Sequence, residues 1–134
     1  MAETEKKLKI GIPKGSLVDP ERGEGLIDLL DRARIFSKNI GRNSPPEITN
    51  IGWLEAMSGR PQELPAWANV GLVDIFLCGD DWAYEFSLQG TESTKLIGLG
   101  VGKVDIVAAQ KKDPDLSRLI YVASEYPFIG RQYA

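Results

Sequence analysis

Three short segments carry side chains of the kinds that bind phosphorylated ligands. Pro13-Lys14-Gly15-Ser16 follows an apolar segment, and a lysine in such a turn can meet a phosphate as a point charge. Gly79-Asp80-Asp81 follows a second apolar segment, and its carboxylates can hold ribose hydroxyls or a magnesium-bound phosphate. Glu125-Tyr126-Pro127 precedes Arg131, whose guanidinium offers two parallel donors to a phosphate or carboxylate. These residue types make the three segments candidates for binding a small anionic ligand.

Each segment also has a purely structural interpretation. Lys14 can be a solvated lysine in a turn, and the Asp80-Asp81 pair can supply a helix N-cap, a position that aspartate favours. Arg131 can be a surface residue of a helix that begins near Pro127. For Lys14 and the aspartates the residue types leave both interpretations open, whereas for Arg131 they favour the structural one.

A glycine-rich segment, Gly98-Leu99-Gly100-Val101-Gly102, does not have the spacing of a dinucleotide site. The third glycine of Gly-x-Gly-x-x-Gly would fall at Lys103, and the residues that follow predict a strand where a helix is required. Lys14 likewise lacks the spacing of a P-loop. We expect no organic cofactor, and the glycines predict a turn or a close approach of a ligand to the backbone.

The composition excludes several classes of chemistry. The 134 residues contain no histidine and one cysteine, Cys78, so neither a Ser-His-Asp triad nor a His-containing zinc site can form within the chain. An internal disulfide is equally excluded, and we expect a reducing, cytoplasmic environment. The net charge of −3 argues against a nucleic-acid partner, and no apolar run is long enough to span a membrane.

The elements that must position these residues alternate between strands and helices. We predict strands over Leu8–Ile12, Glu47–Leu54 and Val73–Leu77 from their apolar patterns. Helices are predicted from Asp19-Pro20 through the apolar face of Leu26, Leu29, Leu30 and Ala33, over Pro61–Val70 with Gly71 as its stop, over Trp82–Leu88 and over Phe128–Tyr133. Later strands are predicted over Lys95–Leu99, Val104–Ala109 and Leu119–Ala123. The alternation predicts an α/β domain with a mixed, mainly parallel sheet flanked by helices.

Six segments in collinear order resemble motifs of the ATP phosphoribosyltransferase family. They are Leu8–Leu17, Arg60–Pro65, Val70–Ile75, Gly79–Trp82, Leu99–Gly102 and Ser124–Pro127 with Arg131 and Tyr133. The resemblance implies one lobe of a bilobal fold like that of type II periplasmic binding proteins, with residues 1–123 as the first lobe. Residues 124–134 would then cross into a second lobe that is absent from this chain.

The activity implied by the resemblance joins N1 of ATP to C1 of phosphoribosyl pyrophosphate and releases pyrophosphate, the first step of histidine biosynthesis. Magnesium is the implied metal ion, with Asp80 and Asp81 as its candidate ligands. Because the adenine nitrogen is itself the nucleophile, positioning and electrostatic stabilisation can carry most of the barrier without histidine. The substrate-binding residues implied are Lys14, Ser16, Arg60, Asp80, Asp81, Gly100, Gly102, Glu125, Tyr126 and Arg131.

The chain also departs from the family pattern. Ser16 stands where the family has arginine, and Asp105 also replaces an arginine, which reverses the charge at that position. Nothing in the chain matches the family's loop that holds the 5′-phosphate of the phosphoribosyl substrate. That loop provides several charge-assisted hydrogen bonds of roughly 1.5–3 kcal/mol each. We therefore expect that the 134 residues alone are not a competent transferase, and that an oligomer or a partner chain supplies the missing lobe. The alternative is a diverged regulatory lobe that binds a nucleotide or an amino acid without turnover.

Overall fold

The computed structural model describes residues 6–15, 18, 25–40, 44–90, 98–100, 106–107, 109, 112–113, 117 and 123–133. Within them lie five strands and four helices. In chain order these are β1 (Leu8–Pro13), α1 (Leu26–Arg32), β2 (Ser37–Lys38), β3 (Glu47–Ile48), β4 (Leu54–Gly59), α2 (Leu64–Asn69), β5 (Ile75–Phe76), α3 (Asp80–Leu88) and α4 (Pro127–Tyr133).

The described sheet is parallel, with β1 between β4 and β5. β1 pairs with β4 over its whole length, from Leu8 opposite Leu54 to Pro13 opposite Gly59. β5 pairs with the other side of β1, with Ile10 opposite Ile75. β2 and β3 form a separate antiparallel ribbon. The predicted α/β class with a mainly parallel sheet flanked by helices is confirmed.

The two faces of the sheet are covered in different ways. Alternate residues of β1 and β4 point to one face, because successive side chains of a strand alternate, and there they form a core with Val18 and with Leu26 of α1. The buried members are Ile10, Ile12, Val18, Leu26, Leu54 and Ala56. On the other face Gly11 and Gly59 leave the space that Leu64 of α2 occupies, since a Cβ at either position would lie within 3.1 Å of its Cδ2.

The strand predicted over Glu47–Leu54 is wrong in its extent. Only Glu47 and Ile48 are strand residues there, and the chain then turns at Gly52 and Trp53 before the long strand β4 begins at Leu54. The Leu8 N–H donates to the carbonyl oxygen of Trp53 at 2.8 Å. This bond sets the register in which β4 enters the sheet.

The first predicted helix is described from Leu26 onwards, as α1. Gly25, directly before it, has a φ of +81°, a left-handed conformation outside the helical range. Leu26 and Leu30 are buried as predicted, while Ala33 is exposed and lies beyond the helix. Asp19 and Pro20 lie outside the described residues.

The other described helices lie near their predicted ranges. α2 begins at Leu64, three residues after the predicted start at Pro61, and it ends before Gly71, whose φ is +79°. Leu64 is fully buried, whereas Val70, the last residue of the predicted range, lies beyond the helix and is 70% exposed. α3 begins two residues before the predicted start, and α4 one residue before. The predicted strands over Lys95–Leu99, Val104–Ala109 and Leu119–Ala123 lie largely outside the described residues.

Candidate functional site

Lys14 and Arg60 directly follow the ends of two neighbouring strands, β1 and β4. Pro13 and Gly59 are the last paired residues of β1 and β4, and the Lys14 N–H donates to the carbonyl oxygen of Gly59 at 2.8 Å. Both lysine and arginine are exposed. Two cations therefore follow adjacent parallel strands at the carboxyl edge, where open α/β sheets bind ligands.

The aspartate pair reaches the same edge from β5. The Leu77 N–H donates to the carbonyl oxygen of Gly11 at 2.9 Å, and the chain then passes through Cys78 and Gly79 into α3. Asp80 and Asp81 are the first two residues of that helix. The structure thus brings four of the predicted residues to one edge: two cationic residues after β1 and β4, and two acidic residues after β5.

Neither aspartate is the N-cap of α3, which corrects the structural interpretation of this pair. The N-cap is Gly79, which makes no side-chain capping hydrogen bond. A Cβ at Gly79 would collide with the Asp81 carboxylate, so glycine is required for that side chain to fold back. Carboxylates in the first turn also interact favourably with the helix dipole.

Tyr126 forms a hydrogen bond with Asp81, which lies 45 residues earlier in the chain. Its hydroxyl donates a hydrogen bond of 2.5 Å to Oδ2 of Asp81, and its ring packs on Trp82 with the centroids 4.4 Å apart. Burial, followed by the hydrogen bond to Asp81 and the charge of that carboxylate, raises the pKa of Tyr126 well above its ordinary value. The phenol is protonated at neutral pH, as any tyrosine is, and the raised pKa keeps it a donor further into the alkaline range.

Glu85 is a residue that the sequence analysis missed. It lies one helical turn after Asp81, is fully buried, and accepts hydrogen bonds from the backbone N–H groups of Phe128 at 2.7 Å and Ile129 at 2.8 Å. Its carboxylate thereby caps α4. The available signal was weak: Glu85 lies in the helix predicted over Trp82–Leu88, but Asp81 precedes that range. Because α3 begins at Asp80, the spacing i, i+4 places both carboxylates on one face.

An open depression of about 430 Å³ lies beside this contact between α3 and α4. Its lining combines aromatic rings, two amides and a carboxylate, contributed by Gln62, Trp82, Phe86, Gln89, Glu125 and Pro127. The predicted residue Glu125 thus lines a concave surface next to Tyr126. Rings with a few hydrogen-bonding groups are typical of small-molecule sites.

The remaining predicted residues are less informative. Arg131 is exposed on α4, with its Cζ 5.4 Å from the ring centroid of Phe128, and its role in binding phosphate stays a prediction. Gly100 is exposed, and its part in the site is likewise a prediction. Ser16 and Gly102 lie outside the described residues.

The described residues hold no group of three or more acidic, cysteine or histidine side chains that could bind a metal ion. Asp80 and Asp81 offer two carboxylates, and one oxygen of Asp81 accepts the Tyr126 hydroxyl. Magnesium commonly keeps several waters and binds through one or two carboxylates together with substrate phosphates. Two carboxylates suffice for a magnesium ion that is held mainly by phosphate and water oxygens, and magnesium at this position stays a prediction.

Comparison with curated proteins gives relatives that share one name. An ATP phosphoribosyltransferase of Nitratidesulfovibrio vulgaris is 41% identical over 78 residues, which are 58% of this chain and 25% of the relative. That of Chlorobium chlorochromatii is 34% identical over 97 residues, 72% of this chain and 31% of the relative. The chain resembles the ATP phosphoribosyltransferases, as its motifs predict.

The match extends over most of the chain in one of these proteins. The ATP phosphoribosyltransferase of Aquifex aeolicus is 29% identical over 133 residues, which are 94% of this chain and 56% of the relative. The chain spans between a quarter and a third of the length of the Nitratidesulfovibrio and Chlorobium proteins. No protein-family model matches it. In the part of the chain that the structure describes, no helix is long and apolar enough to cross a bilayer.

Proposed function

We propose that the chain is the N-terminal lobe of an ATP phosphoribosyltransferase and that its sheet edge binds ATP. The observation that carries the proposal is the joint position of Lys14 and Arg60 directly after β1 and β4, at the same sheet edge as Asp80 and Asp81, which begin α3 after β5. Cations suit the triphosphate, and carboxylates suit ribose hydroxyls or a magnesium ion on the phosphates.

In the proposed reaction, N1 of ATP attacks C1 of phosphoribosyl pyrophosphate and pyrophosphate leaves. A new N–C bond forms, the C–O bond to pyrophosphate breaks, and the electron pair goes to the leaving oxygen. The contribution of this lobe would be to orient the adenine nitrogen and to stabilise charge. Asp80 and Asp81 would hold magnesium, which would supply positive charge for the phosphates.

The rest of the proposal concerns the longer protein. By resemblance, the lobe would be half of a bilobal fold of the type II periplasmic-binding-protein kind, with residues 124–134 leading to the second lobe. The 5′-phosphate of the phosphoribosyl substrate would bind on that lobe, supplied by the same polypeptide or by a partner chain. Histidine biosynthesis would be the pathway, in the cytoplasm.

Calorimetric titration of the chain with magnesium ATP tests the proposal. We expect binding, and we expect Lys14→Ala and Arg60→Ala each to weaken it about tenfold, which is the effect of one charge-assisted hydrogen bond. Lys38→Ala is the matched control, because Lys38 is an exposed lysine on β2 that pairs with Glu47 at 3.2 Å. Absence of ATP binding, or equal losses in the control, would contradict the proposal.

The same titration separates the regulatory alternative. Of the two forms of that alternative, a lobe that had diverged into an amino-acid sensor would bind histidine and not ATP, and Lys14→Ala would leave that affinity unchanged. A nucleotide-binding regulatory lobe would bind ATP as well, and it is separated from the transferase lobe by the absence of turnover once the second lobe is supplied. Adding phosphoribosyl pyrophosphate and measuring pyrophosphate release then tests turnover by the chain. We expect none above background.

A further inference from the structure

The buried glutamate of α3 has a specific task at the start of α4. The first backbone N–H groups of any helix lack partners within that helix, and Pro127 at the first position of α4 has no N–H to satisfy. Phe128 and Ile129 are the next two donors, and each binds a different oxygen of Glu85. One side chain therefore satisfies both and fixes where α4 begins.

The same face of α3 also fixes the residue before α4. Asp81 lies four residues before Glu85 and accepts the hydroxyl of Tyr126, the residue that directly precedes Pro127. Two carboxylates one turn apart thus hold consecutive parts of residues 126–129: the first holds a side chain and the second holds two backbone amides.

The carboxylate matches the two donors that it faces. Burying it carries a desolvation cost, which the two backbone hydrogen bonds offset, and an apolar residue of similar volume would leave both amides without an acceptor. What an apolar residue cannot do is hold two backbone amides in a defined direction. The hydrogen bonds of Glu85, each between 2.7 and 2.8 Å, provide that direction.

We infer that Glu85 is a positioning residue for the candidate site: by fixing the start of α4 it places the Tyr126 hydroxyl on Asp81 and so orients that carboxylate at the sheet edge. An effect of Glu85 on ATP binding rests on the proposed function, whereas the positioning of Tyr126 and Asp81 by Glu85 does not. Trp82 completes the arrangement, since its ring lies against Tyr126.

Hydrogen exchange of the unmodified chain tests the positioning without any ligand. Amides in the first turn of a helix ordinarily exchange quickly, but those of Phe128 and Ile129 should exchange at least about tenfold more slowly than unprotected amides, because both are bonded to a buried acceptor. Exchange of both at the unprotected rate would overturn the inference.

A double-mutant cycle on ATP affinity tests the consequence. Glu85→Gln keeps the shape but turns an NH₂ group toward one amide, and Tyr126→Phe removes the hydroxyl. We expect each to weaken ATP binding about five- to tenfold and the double variant to be no weaker than Tyr126→Phe alone, because residues that act through one another are not additive. Multiplying effects would overturn the inference.

The control is a second contact between the same two helices. The Tyr84 hydroxyl donates to Oε1 of Gln132 at 2.9 Å, at the far end of α4, so Tyr84→Phe weakens helix docking without touching the start of α4. We expect it to change ATP affinity less than about twofold. A loss equal to that of Glu85→Gln would mean that Glu85 acts only by docking α4, against the inference. If the unmodified chain binds no ATP, the proposed function fails, and the exchange measurement still decides the positioning.

Discussion

Asp74 and Lys9 are joined by two reciprocal hydrogen bonds. The Asp74 carboxylate accepts the backbone N–H of Lys9 at 2.8 Å, and the Asp74 N–H donates to the carbonyl oxygen of Lys9 at 2.8 Å. The pair lies immediately before β5, where that strand joins β1. It secures the strand whose carboxyl end delivers Asp80 and Asp81 to the candidate site.

Asp74→Ala should therefore destabilise the fold by about 1–3 kcal/mol, because a main-chain donor of the central strand loses its partner. Urea denaturation measures the change. Asp31→Ala is the control: Asp31 is exposed near the carboxyl end of α1, where a negative charge is unfavourable. Removing it should change the free energy of unfolding by less than about 0.5 kcal/mol. Equal losses for the two variants would contradict the role of Asp74.

Gly59→Ala should be destabilising because its Cβ has no room. That atom would lie 2.8 Å from two ring carbons of Trp67 and 3.1 Å from Leu64, so α2 would have to move away from the sheet. Overpacking of this kind costs about 1–3 kcal/mol. In Gly52→Ala the new Cβ would meet nothing within 4 Å, and thermal unfolding should show a nearly unchanged midpoint. A tolerated alanine at position 59 would mean that α2 does not pack as described.

Gly71→Ala tests backbone strain separately from crowding. Gly71 has a φ of +79°, and a Cβ there would meet nothing within 4 Å, so the whole effect comes from the left-handed conformation at the end of α2. We expect a loss of about 1 kcal/mol for alanine and a smaller loss for Gly71→Asn, because asparagine tolerates this conformation better. Equal values for the two variants in denaturant titrations would count against the explanation.

Tyr126 should give the fold a distinctive alkaline sensitivity. Because burial and Asp81 raise its pKa in the folded state, the unfolded chain releases this proton first, near a pH of about 10. The stabilisation by Tyr126 is then fully present below that pH and is lost as the pH rises towards the folded-state pKa. The difference in unfolding free energy between the wild type and Tyr126→Phe should be constant below a pH of about 10 and should shrink above it. Urea titrations of both proteins across that range measure it, and a difference that stays constant would refute the assignment.

The sequence predicts the strands that are rich in β-branched residues. β1 contains Ile10 and Ile12, and the segment around β5 is almost continuously apolar, so both were found. β4 was missed because Leu-Glu-Ala-Met-Ser-Gly is a poor strand sequence by composition. It is a strand because β1 pairs with it along all six residues, which is information that no local pattern contains.

Some residues of the candidate site could likewise be predicted from local sequence, and others could not. Lys14 and the Asp80-Asp81 pair were predicted at the carboxyl edge because each follows a predicted strand. The position of Arg60 depends on β4, and only the family resemblance indicated it. Glu85 could not be assigned a role because its partners lie 43 and 44 residues away and are backbone amides, which carry no sequence signal.

The capping of α4 by Glu85 also restricts how a ligand can lie across the edge. A helix amino terminus is ordinarily attractive to phosphate, but at the start of α4 the carboxylate of Glu85 occupies that position. Three further acidic residues lie on this side of the site: Asp80 and Asp81 at the start of α3, and Glu125 in the depression. An anionic group is repelled by these carboxylates and attracted by Lys14 and Arg60, so the sheet edge is negative at one end and positive at the other. An elongated molecule with one anionic end should therefore bind in a single orientation, with that end over β1 and β4, and any part of it that meets α3 should be neutral or carry a bound cation such as magnesium.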